Sequence, residues 1–335
     1  MHGQYPPCLL YFVQCINQAG RFILRSCMKN NYTKTCTLPQ DLIPLLKSRG
    51  LSIPDEHRAI SYLTNIGYFR LSSYFYPLLK NPKTNHIFKQ GATFDNALDM
   101  YRFDRKLRIL LFNEIEKIEV AVRSAMNNWI SDGLGNVFWM TEARHYNNPS
   151  YFAKRLAMIE SELDKSNEDF IIHFRNNYSN PYPPAWMIAE VIPFGVLCKT
   201  FNDLKYKSIQ KKIASNFALS LPVFSSWIVS LVSLRNLCGH HNRTWNKEIP
   251  ISSHNLNNPV FPWINPATTD MKRVYFRICI IKYLLFTVSP NNTFTQKLKS
   301  LLAEYPSIDV RAMGFPANWQ SEPLWKVQTN LSKNA

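Results

Sequence analysis

Residues 94–131 read FDNALDMYRFDRKLRILLFNEIEKIEVAVRSAMNNWIS, 38 positions without a proline or a glycine. Within them Leu111, Ile115, Ile118, Val122, Ala125 and Trp129 step by 4, 3, 4, 3 and 4, the spacing of one buried helix face. Thr93 stands where an N-cap belongs. The stretch predicts one helix, which at ~1.5 Å per residue is a rod of roughly 57 Å. Flanking segments share its character. Residues 38–49 stop at Gly50, and residues 54–65 open on Pro54 and stop before Gly67. Further helices are expected at about 150–165, 184–203, 205–217, 221–241, 270–289 and 293–304, the last followed by a Pro/Gly/Trp-rich irregular strap. Residues 81–91 read as a linker and 246–269 as a polar excursion. Period-2 alternation is absent beyond two or three residues, so the expected fold class is all-α.

Composition narrows the class. With 46% hydrophobic and 13% aromatic residues, a 335-residue chain can bury a large core, which excludes a wholly disordered protein. Ten glycines against 21 prolines argue against a glycine-rich nucleotide-binding sheet. The excess of 39 Lys/Arg over 23 Asp/Glu, a net +16, points to a polyanionic partner, nucleic acid before a membrane surface. A basic solubilising surface accounts for the charge equally well. The seven cysteines (8, 15, 27, 36, 198, 238 and 279) include no CxxC pair. Neither a disulfide framework nor a thiolate zinc site is expected, and a reducing cytoplasm is the expected compartment. No apolar run approaches the ~20 residues that span a bilayer. Residues 1–32 read as an N-terminal extension in which Met28 offers an alternative start, residues 33–92 as an N-terminal helical segment, and 93–335 as the main helical domain.

The densest chemistry lies at Arg235-Asn236-Leu237-Cys238-Gly239-His240-His241-Asn242-Arg243, after an apolar helical run. Basic side chains favour helix C-termini, which accounts for one or two of these residues but not for all of them. Asn236 and His240 share a helix face at i, i+4, whereas Arg235 lies about 140° around from His240. Arg235 and His240 therefore converge on one phosphate only if the helix bends near Gly239 or two copies meet across a dimer axis. The set suits cleavage of an RNA phosphodiester. A neutral histidine takes the 2′-OH proton, a charged one protonates the leaving 5′ oxygen, and an arginine fork steadies the transition-state charge. No metal and no cofactor is expected, because the nucleophile is already tethered beside the phosphate. The carboxylate clusters of a two-metal nuclease are missing.

Other stretches are weaker. Asp104/Arg108 and Glu119/Arg123 are i, i+4 pairs with the acid first. They read as ordinary helix salt bridges, or, for Glu119 and Arg123, as supports that orient the His/Arg cluster. Arg105 and Arg108 are candidate RNA contacts, as is Arg70 within GYFRLSSY (67–74), although aromatics at this density read first as core. Met271 to Leu301 holds six Lys/Arg and no acid, and Lys199 to Ile213 five against Asp203; either could track a phosphate backbone or form a solvated face.

Five blocks in order, GYFRLSSYFYPL, FDNALDMYRFDRKLRILLFNEIEKIEVAVRS, PPAWMIAEVIPFGVL, SLVSLRNLCGHHNRTWN and MGFPANW, resemble the Abi-like (abortive infection, AbiD/AbiF-type) proteins of bacterial phage defence. That family lies in the HEPN superfamily. The resemblance matches Arg235, Asn236 and His240 to its R-N-x-x-x-H signature and Glu119 and Arg123 to its Glu-x-x-x-Lys/Arg element. It leaves His241 as the competing imidazole and Arg243 as a supporting residue. It implies a HEPN-type helical bundle, a homodimer with a composite cleft, metal-independent endoribonuclease activity on RNA, and a noncoding RNA antitoxin as a partner. An RNA-binding module without catalysis is the alternative. Gly239 departs from the alanine expected at that position.

Overall fold

Proline and glycine punctuate the first helices. α1 (Pro39–Ser48) opens on Pro39, and Gly50 follows it at φ +89°. α2 (Glu56–Ile66) is capped by Asp55, whose carboxylate accepts from the Arg58 amide at 2.9 Å, and it ends on Gly67 at φ +87°. α3 (Tyr68–Phe75) buries Leu71, Tyr74 and Phe75 but leaves Phe69 82% exposed. The reading of this aromatic run as core therefore holds for one face only. The computed structural model describes residues 31, 35–251 and 253–326, so the expectations placed on residues 1–27 lie outside the described residues.

α4 (Phe94–Leu134) is the predicted rod, 41 residues long. Thr93 caps it reciprocally: the Asn96 amide donates to Thr93 Oγ1 at 3.1 Å, and the Thr93 amide donates to Asn96 Oδ1 at 2.9 Å. The helix passes through Gly133, where a Cβ would come within 2.8 Å of Ile209. The missing side chain lets α4 lie close to Ile209, whose tip would have to shift to admit a larger residue. Its buried stripe is Leu111, Ile115, Ile118, Val122, Met126 and Ile130. Ala125 and Trp129, expected on that stripe, lie at its half-buried edge. The observed stripe steps by 4, 3, 4, 4 and 4, wider than a helix turn of about 3.6 residues, so the buried face winds slowly around α4.

The chain forms two compact units, residues 1–102 and 103–335, whose boundary falls within α4. In the second unit α5 (Pro149–Lys165) is capped by Asn148 and followed by α6 (Asp169–Asn177). α6 went unread in the sequence because it has only nine residues and buries only Ile171 and Phe174. The helix expected over 184–203 is two: α7 (Ala185–Val191) and α8 (Phe194–Asn202). Pro193 separates them, since it lacks an amide proton and forces Ile192 into an extended conformation (φ −80°, ψ 147°). α9 (Lys207–Ser215) leads to α10 (Leu221–Gly239), which packs against α8, α9 and α11 (Val274–Val288). α12 (Phe294–Glu304) and the short α13 (Pro323–Lys326) close the chain. The described residues hold thirteen α-helices and no strand beyond three isolated bridges, an all-α fold.

Two of these helices correct the sequence reading. By length and composition α10 (19 residues) is long and apolar enough to cross a membrane, contrary to the expectation that no run approaches that length. In the fold it is a core helix, with Phe224, Trp227, Ile228, Leu231 and Leu234 at 0% exposure. α11 is buried on every face from Val274 to Phe286. Its Arg277 is wholly enclosed and donates to the carbonyls of Met271, Arg273, Ile249 and Ile251, tying down the polar excursion; burial holds it down at about 10. Lys282 is also buried, with its ammonium 4.8 Å from the Phe286 ring, and desolvation lowers it to about 8. Neither cation can track a phosphate backbone, so the basic stretch 271–301 is not a nucleic-acid face along α11.

Candidate functional site

Two faces of the last turn of α10 do different things. Arg235 and Gly239 are four residues apart and face α4. A Cβ on Gly239 would sit 3.5 Å from Phe112 Cε2, and the Arg235 guanidinium lies 5.4 Å from the centre of the same ring. Asn236 and His240, also four apart, occupy the exposed face. Neither side chain is hydrogen-bonded among the described residues. The structure does not join Arg235 to His240 within one chain.

Gly239 is not a hinge. It is helical, and its Cβ position meets only ordinary contact distance, so an alanine would fit there. The turn is made two residues later, in a Schellman arrangement. The His241 amide donates to the Cys238 carbonyl at 3.1 Å and the Asn242 amide to the Leu237 carbonyl at 2.9 Å, with His241 at φ +57°. Glycine is the usual occupant of that left-handed position, and a histidine there is strained. His241→Gly is accordingly expected to raise the unfolding free energy by about 1 kcal/mol, measured by urea denaturation. No gain, or a loss, would show that the imidazole's own contacts outweigh the strain.

Three residues predicted from sequence do meet. Glu119 Oε1 lies 2.5 Å from Arg123 Nη2, and its Oε2 lies 3.6 Å from Arg235 Nε. Arg123 also donates to the carbonyls of Ala189 and Ile192, 3.2 Å to the latter, which caps the C-terminal end of α7. Glu119 is thus held by one arginine and holds the other. Arg235 Nε is buried without a hydrogen bond, while the side chain as a whole is 40% exposed. The guanidinium is positioned by its inner edge and one face, leaving its outer amino groups unused. Beside it lies a small pocket of about 160 Å³ lined by Phe112, Glu116, Glu119, Val120, Arg123, Glu190 and Arg235. Three carboxylates against two guanidiniums make the pocket itself a poor seat for an anion. The exposed tip of Arg235 is the better one.

A second brace holds the segment just after the helix. Asp104 is fully buried and accepts from the amides of Trp245 at 2.7 Å and Thr244 at 3.1 Å, and from Arg108 Nη1 at 2.5 Å. Arg108 also donates to the Asn242 carbonyl at 3.3 Å. Arg108 is only 5% exposed, which corrects its reading as an RNA contact: it is a structural clamp. Arg105 is exposed on α4, Arg243 is half-buried, and Arg70 lies on α3 in the other unit. Burial pushes the Cys238 thiol up to about 12, so the cysteine inside the motif is no nucleophile. Sequence reasoning missed Phe112, Glu116 and Glu190, which carry no motif. It also missed the role of Asp104, whose i, i+4 partner concealed its longer-range bonds.

The order of elements and this cluster coincide with a family match. A family model described as Abi-like protein matches residues 61–246, more than half of the chain. The chain belongs to the Abi-like protein family. The matched span includes α3, α4, the Arg123 brace and the whole of the α10 motif through Trp245. No curated protein and no solved structure gives a significant match. Membership in the Abi-like family supports an abortive-infection, phage-defence role.

Proposed function

We propose that this Abi-like protein is a metal-independent endoribonuclease of HEPN type, which cleaves RNA by attack of a 2′-OH on the adjacent phosphate and acts as the toxic arm of the defence response. The observation that carries the reading is Arg235, held edge-on by Glu119 and face-on by Phe112 with its outer amino groups in solvent. A guanidinium fixed in this way is preorganised for the charge of a phosphorane-like transition state. His240 projects from the solvent face of the same turn. A second copy would place two arginines and two histidines around one cleft, so that one neutral imidazole takes the 2′-OH proton while a charged one delivers a proton to the departing 5′ oxygen. The products are a 2′,3′-cyclic phosphate and a 5′-hydroxyl.

The surface around Arg235 suits self-association. Ile109 and Val120, 56% and 55% exposed, lie on one face of α4 with Glu116 between them, and Val120 and Glu116 also line the Arg235 pocket. A homodimer covering this stripe in the cytoplasm, restrained by an RNA antitoxin until infection, is part of the proposal. The absence of an Arg235–His240 contact within one chain favours a second reading, an RNA-binding module that cuts nothing. The test is incubation of the purified full chain with total RNA under chelation, followed by mapping of the ends. New cyclic-phosphate ends are expected. Cleavage that disappears with chelator would overturn the mechanism, and intact RNA bound by folded dimer would establish the second reading.

A further inference from the structure

The site at α10 does not use the exposed aromatic edge of the first unit. Phe69 (82% exposed) and Tyr76 (47% exposed) are seven residues apart across α3 and the single 3-10 turn that continues it, so they stand on the same side about 10 Å apart. Ser72 and Ser73 lie between them, small and half-buried. Leu71, Tyr74 and Phe75 fill the opposite face. A phenylalanine this open contributes little to packing in its own unit.

Positive charge gathers at the Tyr76 end. Lys83 Nζ lies 4.6 Å from the centre of the Tyr76 ring and donates to the carbonyls of Tyr76 at 2.7 Å and Leu79 at 3.4 Å. Lys89 donates to the Pro77 carbonyl at 2.9 Å, using one of the three donors of its ammonium. Partial burial, with Lys89 close by, holds Lys83 below its ordinary value. The strap that carries these lysines is fixed by backbone bonds from the Lys80 amide to Ile87 and from the Lys89 amide to Leu78, both 2.8 Å. From Gly67 to Phe94 the chain has Arg70, Lys80, Lys83 and Lys89 and no aspartate or glutamate.

Capping explains why lysines sit on the last carbonyls of a helical run. It does not explain two exposed rings in register beside them. We infer that Phe69 and Tyr76, with Lys83 and Lys89, form a stacking platform for single-stranded RNA, in which bases lie on the rings and the backbone runs along the lysines. Aromatic rings flanked by lysines recognise unpaired bases of any sequence and give nothing to a duplex, whose bases are already stacked. The inference deepens the reading of the chain as a protein that acts on RNA, by assigning it a place that holds unpaired RNA.

The test uses the full chain and a short fluorescent single-stranded RNA with 2′-O-methyl riboses, which cannot be cut by 2′-OH attack. Phe69→Ala is expected to weaken its affinity about 5- to 150-fold in fluorescence anisotropy, and Phe69→Trp to retain it. Lys83→Gln and Lys89→Gln should each lower the salt slope of binding by about 1. Because Phe69 is exposed, its variants fold, and a thermal melt of the two lysine variants separates a lost carbonyl cap from a lost phosphate contact. Affinity for Phe69→Ala within about twofold of wild type would overturn the platform, as would an equal loss for an RNA duplex. Retained RNA binding with a changed oligomeric state would overturn it too and mark the face as a protein contact. The two readings fail separately. Wild-type protein that binds RNA through Phe69 yet cuts none sinks the nuclease alone, whereas cleavage with Phe69-independent binding sinks the platform alone.

Discussion

Arg235→Ala is expected to reduce RNA cleavage by about 10²–10³-fold, the cost of removing one preorganised donor at a developing oxyanion. His240→Ala should lose about 10²–10⁴-fold, the usual contribution of a positioned acid–base group. Stability separates these losses from misfolding. His240 makes no side-chain hydrogen bond among the described residues, so its truncation should leave the Tm unchanged. Arg235→Ala removes a half-exposed contact to Glu119 and a ring contact to Phe112, together about 1 kcal/mol. Arg235→Lys should be nearly as inactive as the alanine variant, since an ammonium cannot reproduce the two-pronged donor. Comparing His240→Ala with His241→Gly identifies the working imidazole: the first should be dead and the second active. Cleavage that persists in both Arg235→Ala and His240→Ala would leave the motif without a catalytic role.

Asp104→Ala is expected to be the most destabilising single change around the site. It strips the carboxylate from buried Arg108 and leaves the Thr244 and Trp245 amides without an acceptor. Breaking a buried pair of this kind costs roughly 3–5 kcal/mol, because the remaining charge stays desolvated. In a unit of this size that is a Tm fall on the order of 10 °C. Asp104→Asn, which keeps an acceptor and the shape, should lose less. Replacing both partners, Asp104→Ala with Arg108→Leu, should cost clearly less than the two single changes added together. Urea or thermal denaturation of the four proteins measures the coupling. An Asp104→Ala variant within about 1 kcal/mol of wild type would refute the clamp. Arg105→Ala, on the exposed side of α4, should alter only the salt dependence of RNA binding.

Much of this was legible in the sequence, and the failures have physical reasons. The rod from Phe94 could be read because a reciprocal cap and a long run free of breakers agree with its apolar period. Its face was placed correctly through Val122 and then slipped, because the buried stripe steps by four from Val122 to Met126 and Ile130 and so winds around the helix. Pro193 was visible, yet the apolar residues on either side continue a helical pattern and masked the break. Arg108 looked like a surface cation because a local i, i+4 partner says nothing about depth. Its burial follows from Thr244 and Trp245, well over a hundred residues away. Arg235, Glu119 and Arg123 could be matched by family resemblance, but that Glu119 bridges both arginines is a fact of α10 packing beside α4. Gly239 looked like a bend, since glycine usually signals one. The chain turns instead at His241, a residue that gives no such signal.

The outward side of the α10 tip, where Asn236 and His240 stand, contributes nothing to holding the protein together. On the proposed reading, selection there acts on chemistry alone. A lineage burdened by a self-harming enzyme could therefore disarm it with one substitution and keep a perfectly folded product, and inert versions should accumulate among close kin. Arg235 has less of that freedom, because its removal also gives up contacts to Phe112 and Glu119.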